Sequence, residues 1–118
     1  MAKQLNFEYK GRPYCLEYTR STVRNMEAMG FNINDVTDKM MIRLPQLFEG
    51  AFMVHHSDIK TSTVNAILKS IVDKNGLFLR LREMYLYTYE ELLADPKGDP
   101  EGNVVWTANW DSSEDYED

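Results

Sequence analysis

Polar and apolar residues alternate along residues 4–9, Gln-Leu-Asn-Phe-Glu-Tyr, and again, more loosely, along residues 14–19, Tyr-Cys-Leu-Glu-Tyr-Thr. Lys10-Gly11-Arg12-Pro13 stands between them, and two runs of strand period joined through a Gly and a Pro predict a β-hairpin. Leu5, Phe7 and Tyr9 would share one face, because side chains two apart point the same way. A lone hairpin is marginal in water, so this face is expected to lie on something apolar. Beyond residue 19 the period lengthens. Thr19 or Ser21 offers an N-cap for a first helix through Met29, with Gly30 as its left-handed stop and Val23, Met26 and Ala28-Met29 as its stripe. A loop rich in Asn and Asp, Phe31 to Asp38, follows. Thr37 can cap a second helix, but Pro45 leaves the start open. Either Met40 to Leu44 form a separate turn, or the helix begins near Pro45, where proline is tolerated in the first turn. From there to His56, Leu44, Leu47, Phe48, Ala51 and Val54 fall on one side at helical spacing, the pattern of a core helix.

A third helix is predicted from Thr61 to Lys74, with Asn75-Gly76 as its stop signal. Val64, Ile67, Leu68, Ile71 and Val72 form a stripe of the width expected for one packed face. The fourth helix, Leu77 to Leu93, is different. Phe78, Leu81, Tyr85, Tyr89 and Leu92 make one face, and Leu79, Leu86 and Leu93, spaced by sevens, extend it on one side. The apolar arc passes half the circumference, so the helix is either central to the bundle or shares its excess with a second molecule. The fold class is therefore α+β: an N-terminal hairpin packed on a compact set of about four helices.

Charge divides the chain in two. Residues 95–118 hold eight acidic side chains and one base, Lys97, a net of −7, whereas residues 1–94 carry eleven acids and twelve bases. A segment of this composition cannot bury enough apolar surface to fold alone, so 95–118 is expected to be a largely flexible tail on a domain of residues 1–94. Both tryptophans, Trp106 and Trp110, lie in it. Helical or extended, they would share a side, and two such rings call for a docking surface. They either fold back over the fourth helix or serve as anchors for a partner, since a large aromatic concentrates buried area in few residues. Trp106, Trp110, Val105, Leu79, Leu86, Leu93 and Met53 are the candidate partner-binding residues. Most of the seven methionines read as core filling, although flexible thioethers also suit a surface that accepts varied apolar helices.

Catalytic signatures do not emerge. There is no Gly-rich phosphate loop, no Ser elbow and no Cys-x-x-Cys pair. Adjacent residues on a helix point about 100° apart, so His55 and His56 would not converge on one ion; His55 is expected in the apolar stripe and His56 toward solvent. Cys15, the one cysteine, reads as a small strand residue without a cue for activation and allows no internal disulfide. No enzyme, metal or cofactor is expected. An acidic chain also argues against nonspecific nucleic-acid binding, which rests on basic side chains, and no apolar run approaches membrane-spanning length. The chain reads as cytosolic.

Four stretches, taken in order, resemble the small tail assembly chaperones of long-tailed bacteriophages. They are Phe7-Glu8-Tyr9-Lys10-Gly11 with Leu16-Glu17-Tyr18-Thr19, then Val23-Arg24-Asn25-Met26-Glu27-Ala28-Met29-Gly30-Phe31, then Leu44-Pro45-Gln46-Leu47-Phe48-Glu49-Gly50-Ala51-Phe52, and last Asn103-Val104-Val105-Trp106-Thr107-Ala108-Asn109-Trp110. The resemblance implies a protein of the bacterial host cytoplasm, not retained in the virion. It would coat the helical tape measure protein, help recruit tail tube subunits and associate with itself. A longer frameshifted form is common in that family, but it brings no invariant active residue. The rival expectation is a small acidic inhibitor of a host nucleic-acid enzyme whose tail imitates phosphates. Against it, the folded part is nearly neutral, whereas such mimicry needs a rigid acidic face. A structural subunit kept in the mature particle is the third.

Overall fold

The computed structural model describes residues 3–98 and 100–111. Its element order is a two-stranded antiparallel sheet, β1 (Leu5–Tyr9) and β2 (Arg12–Leu16), followed by four helices: α1 (Arg20–Ala28), α2 (Met40–Gly50), α3 (Thr61–Ser70) and α4 (Lys74–Leu93). The hairpin and four helices agree with the α+β expectation. Short 3-10 turns occupy Ile33–Asp35 and Pro100–Gly102. The part of the predicted tail at 99 and 112–118 lies outside the described residues.

Lys10 and Gly11 both have positive φ, 52° and 79°, so the chain reverses in a two-residue turn whose twist matches the strands it joins. Phe7 then faces Tyr14 and Leu5 faces Leu16. Arg12-Pro13 is thus strand rather than link. Proline is tolerated there because the backbone N–H groups of Cys15 and Glu17 point away from β1, and the nitrogen of Pro13, two residues earlier, faces the same open edge. That edge is used. Glu17 N donates to Ala51 O at 3.0 Å and Cys15 N to His56 Nε2 at 3.1 Å, so the segment after α2 is laced along β2. Phe7, Tyr14, Phe48 and Phe52 close the apolar side, with Tyr14–Phe52 and Phe48–Phe52 centroids 5.7 and 5.0 Å apart. This supplies the apolar floor that a two-stranded hairpin requires.

α1 starts where Thr19 Oγ1 accepts from Thr22 N and ends before Gly30 at φ 97°. α2 departs from expectation at both ends. It begins at Met40, with Lys39 rather than Thr37 at the cap position and no side-chain cap bond; Asp35 supplies negative charge there instead, 3.8 Å from Lys39 and 3.5 Å from Arg43. Pro45 lies inside the helix. The carbonyl it leaves without a helical donor is that of Met41, an exposed residue where water can serve. The helix stops at Gly50, not His56, and residues 51–55 form turns. Ala51 N donates to Phe48 O, which frees Leu47 O to accept from the buried Tyr18 hydroxyl. Because the helix ends early, the histidines reverse their expected roles: His56 is half-buried against Tyr14 and His55 is exposed.

α3 ends at Ser70, where Lys74 Nζ donates to the carbonyls of Lys69 and Ile71. Val72 therefore leaves the predicted stripe and is 90% exposed. Asn75-Gly76 belongs to the first turn of α4 and is not a stop. Asp73, at φ 62°, accepts from Gly76 N at 3.1 Å, and a Cβ on Gly76 would lie 2.3 Å from its carboxylate. Glycine at 76 is what lets the cap close.

Candidate partner-binding surface

α4 buries Leu81, Met84, Tyr85 and Thr88 in the core, and Leu77, Phe78, Leu86 and Tyr89 pack partly against it. Ring contacts of Tyr85 with Tyr18, Phe31 and Tyr89, at centroid distances of 5.4–5.8 Å, fix it at the centre. Burial pushes its phenol, like that of Tyr18, above the ordinary range, so both remain neutral. Near the C-terminal end the Tyr89 hydroxyl donates to Glu27 of α1.

The helix still has apolar residues left over. Leu79 is 58% and Leu93 79% exposed, while Leu86, midway between them on the same side, is partly covered by the core. The heptad-spaced leucines therefore do not form one uniformly open seam; two ends stand free around a half-buried middle. Leu92 is exposed as well and borders a small hollow of about 170 Å³ with Arg20, Arg24 and Glu27. Trp106 and Trp110 are 80% and 58% exposed, and Val105 is also unburied. The indoles do not seal the surface of α4.

Met53 belongs to a different feature. It lines a groove of about 990 Å³ between α1 and the end of α2, with Met26, Met29, Phe31, Gln46 and Glu49, and no residue of α4 contributes to it. Gly50 leaves room for the Met26 thioether, which a Cβ there would meet at 2.6 Å from Sδ and would push aside. The predicted binding residues thus fall into three places: Met53 in the groove, Leu79, Leu86 and Leu93 along α4, and Val105, Trp106 and Trp110 on the segment beyond it. Sequence reading missed Phe31 and Gln46 as lining, and it missed Met41 and Ile42, exposed on the first turn of α2. Met29, expected in the apolar stripe of the first helix, instead lies just past the end of α1 on the rim of the groove, 81% exposed.

Among the described residues one group of metal-ligating side chains converges, Cys15, Glu17 and His55, away from this surface on the outer side of the hairpin. No helix among the described residues is long and apolar enough to cross a membrane.

Residues 1–110 fit a domain of unknown function, DUF5055, and the chain belongs to that family. No curated protein and no solved structure matches it.

Proposed function

Starting from a family defined without a function, we propose that this chain is a non-catalytic tail assembly chaperone that binds the tape measure protein of a long-tailed phage, keeps it soluble and helps recruit tail tube subunits. The observation that carries the reading is the unburied apolar surface in two places of a small domain: the Met-lined groove between α1 and α2, and the free ends of the α4 leucine row. Grooves of this kind accept the apolar face of an amphipathic helix, and thioethers re-pack against varied side chains at low cost. A tape measure protein offers such faces repeatedly along a rod. One chaperone copy covers little of it; several copies side by side gain by avidity and by contact with one another, which is where the proposed self-association enters. The segment carrying Val105, Trp106 and Trp110 would supply an additional aromatic anchor, and the acidic residues around it would speed encounter with a basic partner. Such a protein acts in the host cytoplasm and leaves before the virion is complete.

Co-expression tests this directly. The tape measure protein encoded near this gene should be recovered in the soluble fraction with the full chain, and should aggregate with a chain carrying Leu79→Ser, Leu93→Ser and Met53→Ser. Equal solubility with and without the chain would end the proposal. Capture that survives removal of residues 100–118 would take the tryptophans out of it.

A further inference from the structure

The outer face of the hairpin carries chemistry that partner binding leaves unused. Cys15 and Glu17 are two apart on extended chain and so project to one side, opposite the core residues Tyr14 and Leu16. The turn after α2 brings His55 to meet them. One donor atom from each residue, the Cys15 sulfur, a Glu17 carboxylate oxygen and a His55 ring nitrogen, lies within 4.8 Å of the other two. The group is braced. Glu17 Oε1 accepts from Gln4 Nε2 at 3.0 Å and sits 2.7 Å from His55 Nε2, while the Cys15 backbone is tied to the next residue of the turn by its N–H bond to His56. Glu17 is buried, Cys15 half-buried and His55 exposed, so the set opens to solvent through the imidazole. Cys15 and His55 also border an open cleft of about 540 Å³.

We propose that Cys15, Glu17 and His55 form a zinc site, with water in the fourth position. Thiolate, imidazole and carboxylate together are a zinc donor set, whereas calcium and magnesium require oxygen donors nearly throughout. A carboxylate largely shielded from solvent beside a thiol and a ring nitrogen is a different object from the solvated acidic clusters common on protein surfaces. Tetrahedral zinc, with bonds of about 2.0–2.3 Å, holds its ligand atoms about 3.5 Å apart. The Cys15–Glu17–His55 group reaches that arrangement by small movements, for which the exposed His55 ring has freedom. Without metal, Cys15 is a thiol, since burial first and the Glu17 charge second push its pKa up. The sulfur binds metal only as thiolate, so its proton passes to solvent on binding and zinc affinity should rise with pH. The bound ion would staple β2 to the chain leaving α2, the join on which the hairpin's docking depends. This inference stands apart from the chaperone reading and does not need it.

The test uses the full, tag-free chain stripped with chelator, titrated with zinc by calorimetry and with cobalt by absorption. One ion per chain is expected, with cobalt giving near-ultraviolet thiolate-to-metal charge transfer and visible bands of tetrahedral intensity. Cys15→Ser should abolish the charge-transfer band, and His55→Ala should weaken binding by roughly tenfold or more, each variant having unchanged far-ultraviolet dichroism. Zinc should also slow alkylation of Cys15 in the unmodified chain, a readout that needs no variant to fold. Absence of saturable binding, or cobalt spectra and affinity unaltered by Cys15→Ser, as expected if acidic residues elsewhere hold the ion, would overturn the site.

Discussion

The junction between the hairpin and α2 and the C-terminal end of α4 are built from the same kinds of residue and end in opposite states. At the junction, four aromatic rings interlock, the backbone N–H groups of Cys15 in β2 and of Glu17 just past it find acceptors on the segment after α2, and Phe48 and Phe52 are wholly buried. At the end of α4, Leu92 and Leu93 are both more than half exposed, and the chain that follows leaves its valines and tryptophans exposed. The difference is one of partners. An apolar stripe becomes core only where a second element arrives with its own stripe, and after residue 89 of α4 no element among the described residues buries the leucines. The junction holds rings that the core cannot lose, whereas the α4 end carries apolar surface that the domain does not bury.

The comparison breaks most violently at Phe52. Phe52→Ala removes a ring that touches Phe7, Tyr14, Phe48 and His56, and should cost about 3–5 kcal/mol. A domain of this size holds about 5–15 kcal/mol in all, so denaturant titration should find the variant partly or wholly unfolded. A smaller loss, about 1–3 kcal/mol, is expected from Tyr18→Phe, which strips the buried Leu47 carbonyl of its hydroxyl donor while keeping the ring in the core. A loss near zero would mean that water replaces the hydroxyl and that the early end of α2 is not supported by this bond.

Much of this architecture was legible, and the failures have physical causes. Strand alternation and helical stripes report which side of an element faces the core, so the hairpin, the four helices and the central place of Leu81 and Tyr85 could be read. Ends were harder, because a cap depends on geometry that composition does not encode. Asn75-Gly76 has the makeup of a stop, yet Asp73 in the left-handed region accepts from Gly76 N and makes the pair part of a start. His55 and His56 were placed as if helix continued beneath them; once α2 ends at Gly50 the two rings diverge to Glu17 and to Cys15 N. The surface residues were found from excess, and excess is visible in sequence. How they divide into a groove, a helix edge and a trailing segment is a matter of tertiary contact. Cys15 and His55 are forty residues apart with no shared motif, so their meeting could not be read.

Acid should probe the junction more gently than mutation. His56 accepts the Cys15 N–H through Nε2 and is held neutral, its pKa lowered from 6.5 chiefly by burial and then by Arg12 and His55, with Asp58 opposing. A histidine with a depressed folded pKa binds its proton more readily when unfolded, so stability is full above pH 6.5 and falls as the pH drops from there through the folded value. Glu17, lowered from 4.5 by its bonds to His55 and Gln4, adds a second loss that begins below 4.5. In chelator-containing buffer, melting temperature should decline in these two windows. His56→Gln, which keeps a polar side chain that does not titrate there, should remove the upper one. A flat profile from pH 7 to 5 would show that His56 is not the acceptor holding β2.

The faintest effect on stability is expected where the effect on binding is largest. Leu93 lies in the last turn of α4 with most of its side chain in water, and Leu79 is more than half exposed. Replacing both with serine removes apolar area that the monomer never buried, so the midpoint of unfolding should move by no more than about 0.5 kcal/mol. If those leucines close against a partner helix or a second copy, the same variant should lose capture of the tape measure protein and shift to smaller species in sedimentation. Trp106 gives the matching readout from the trailing segment: its emission should be that of a solvated indole in the free chain, and should move to the blue with loss of soluble-quencher access when a partner is added. Leucines that could be changed without loss of stability or of capture would leave the end of α4 as ordinary surface, and the contrast with the aromatic junction would then reflect only where the chain runs out of neighbours.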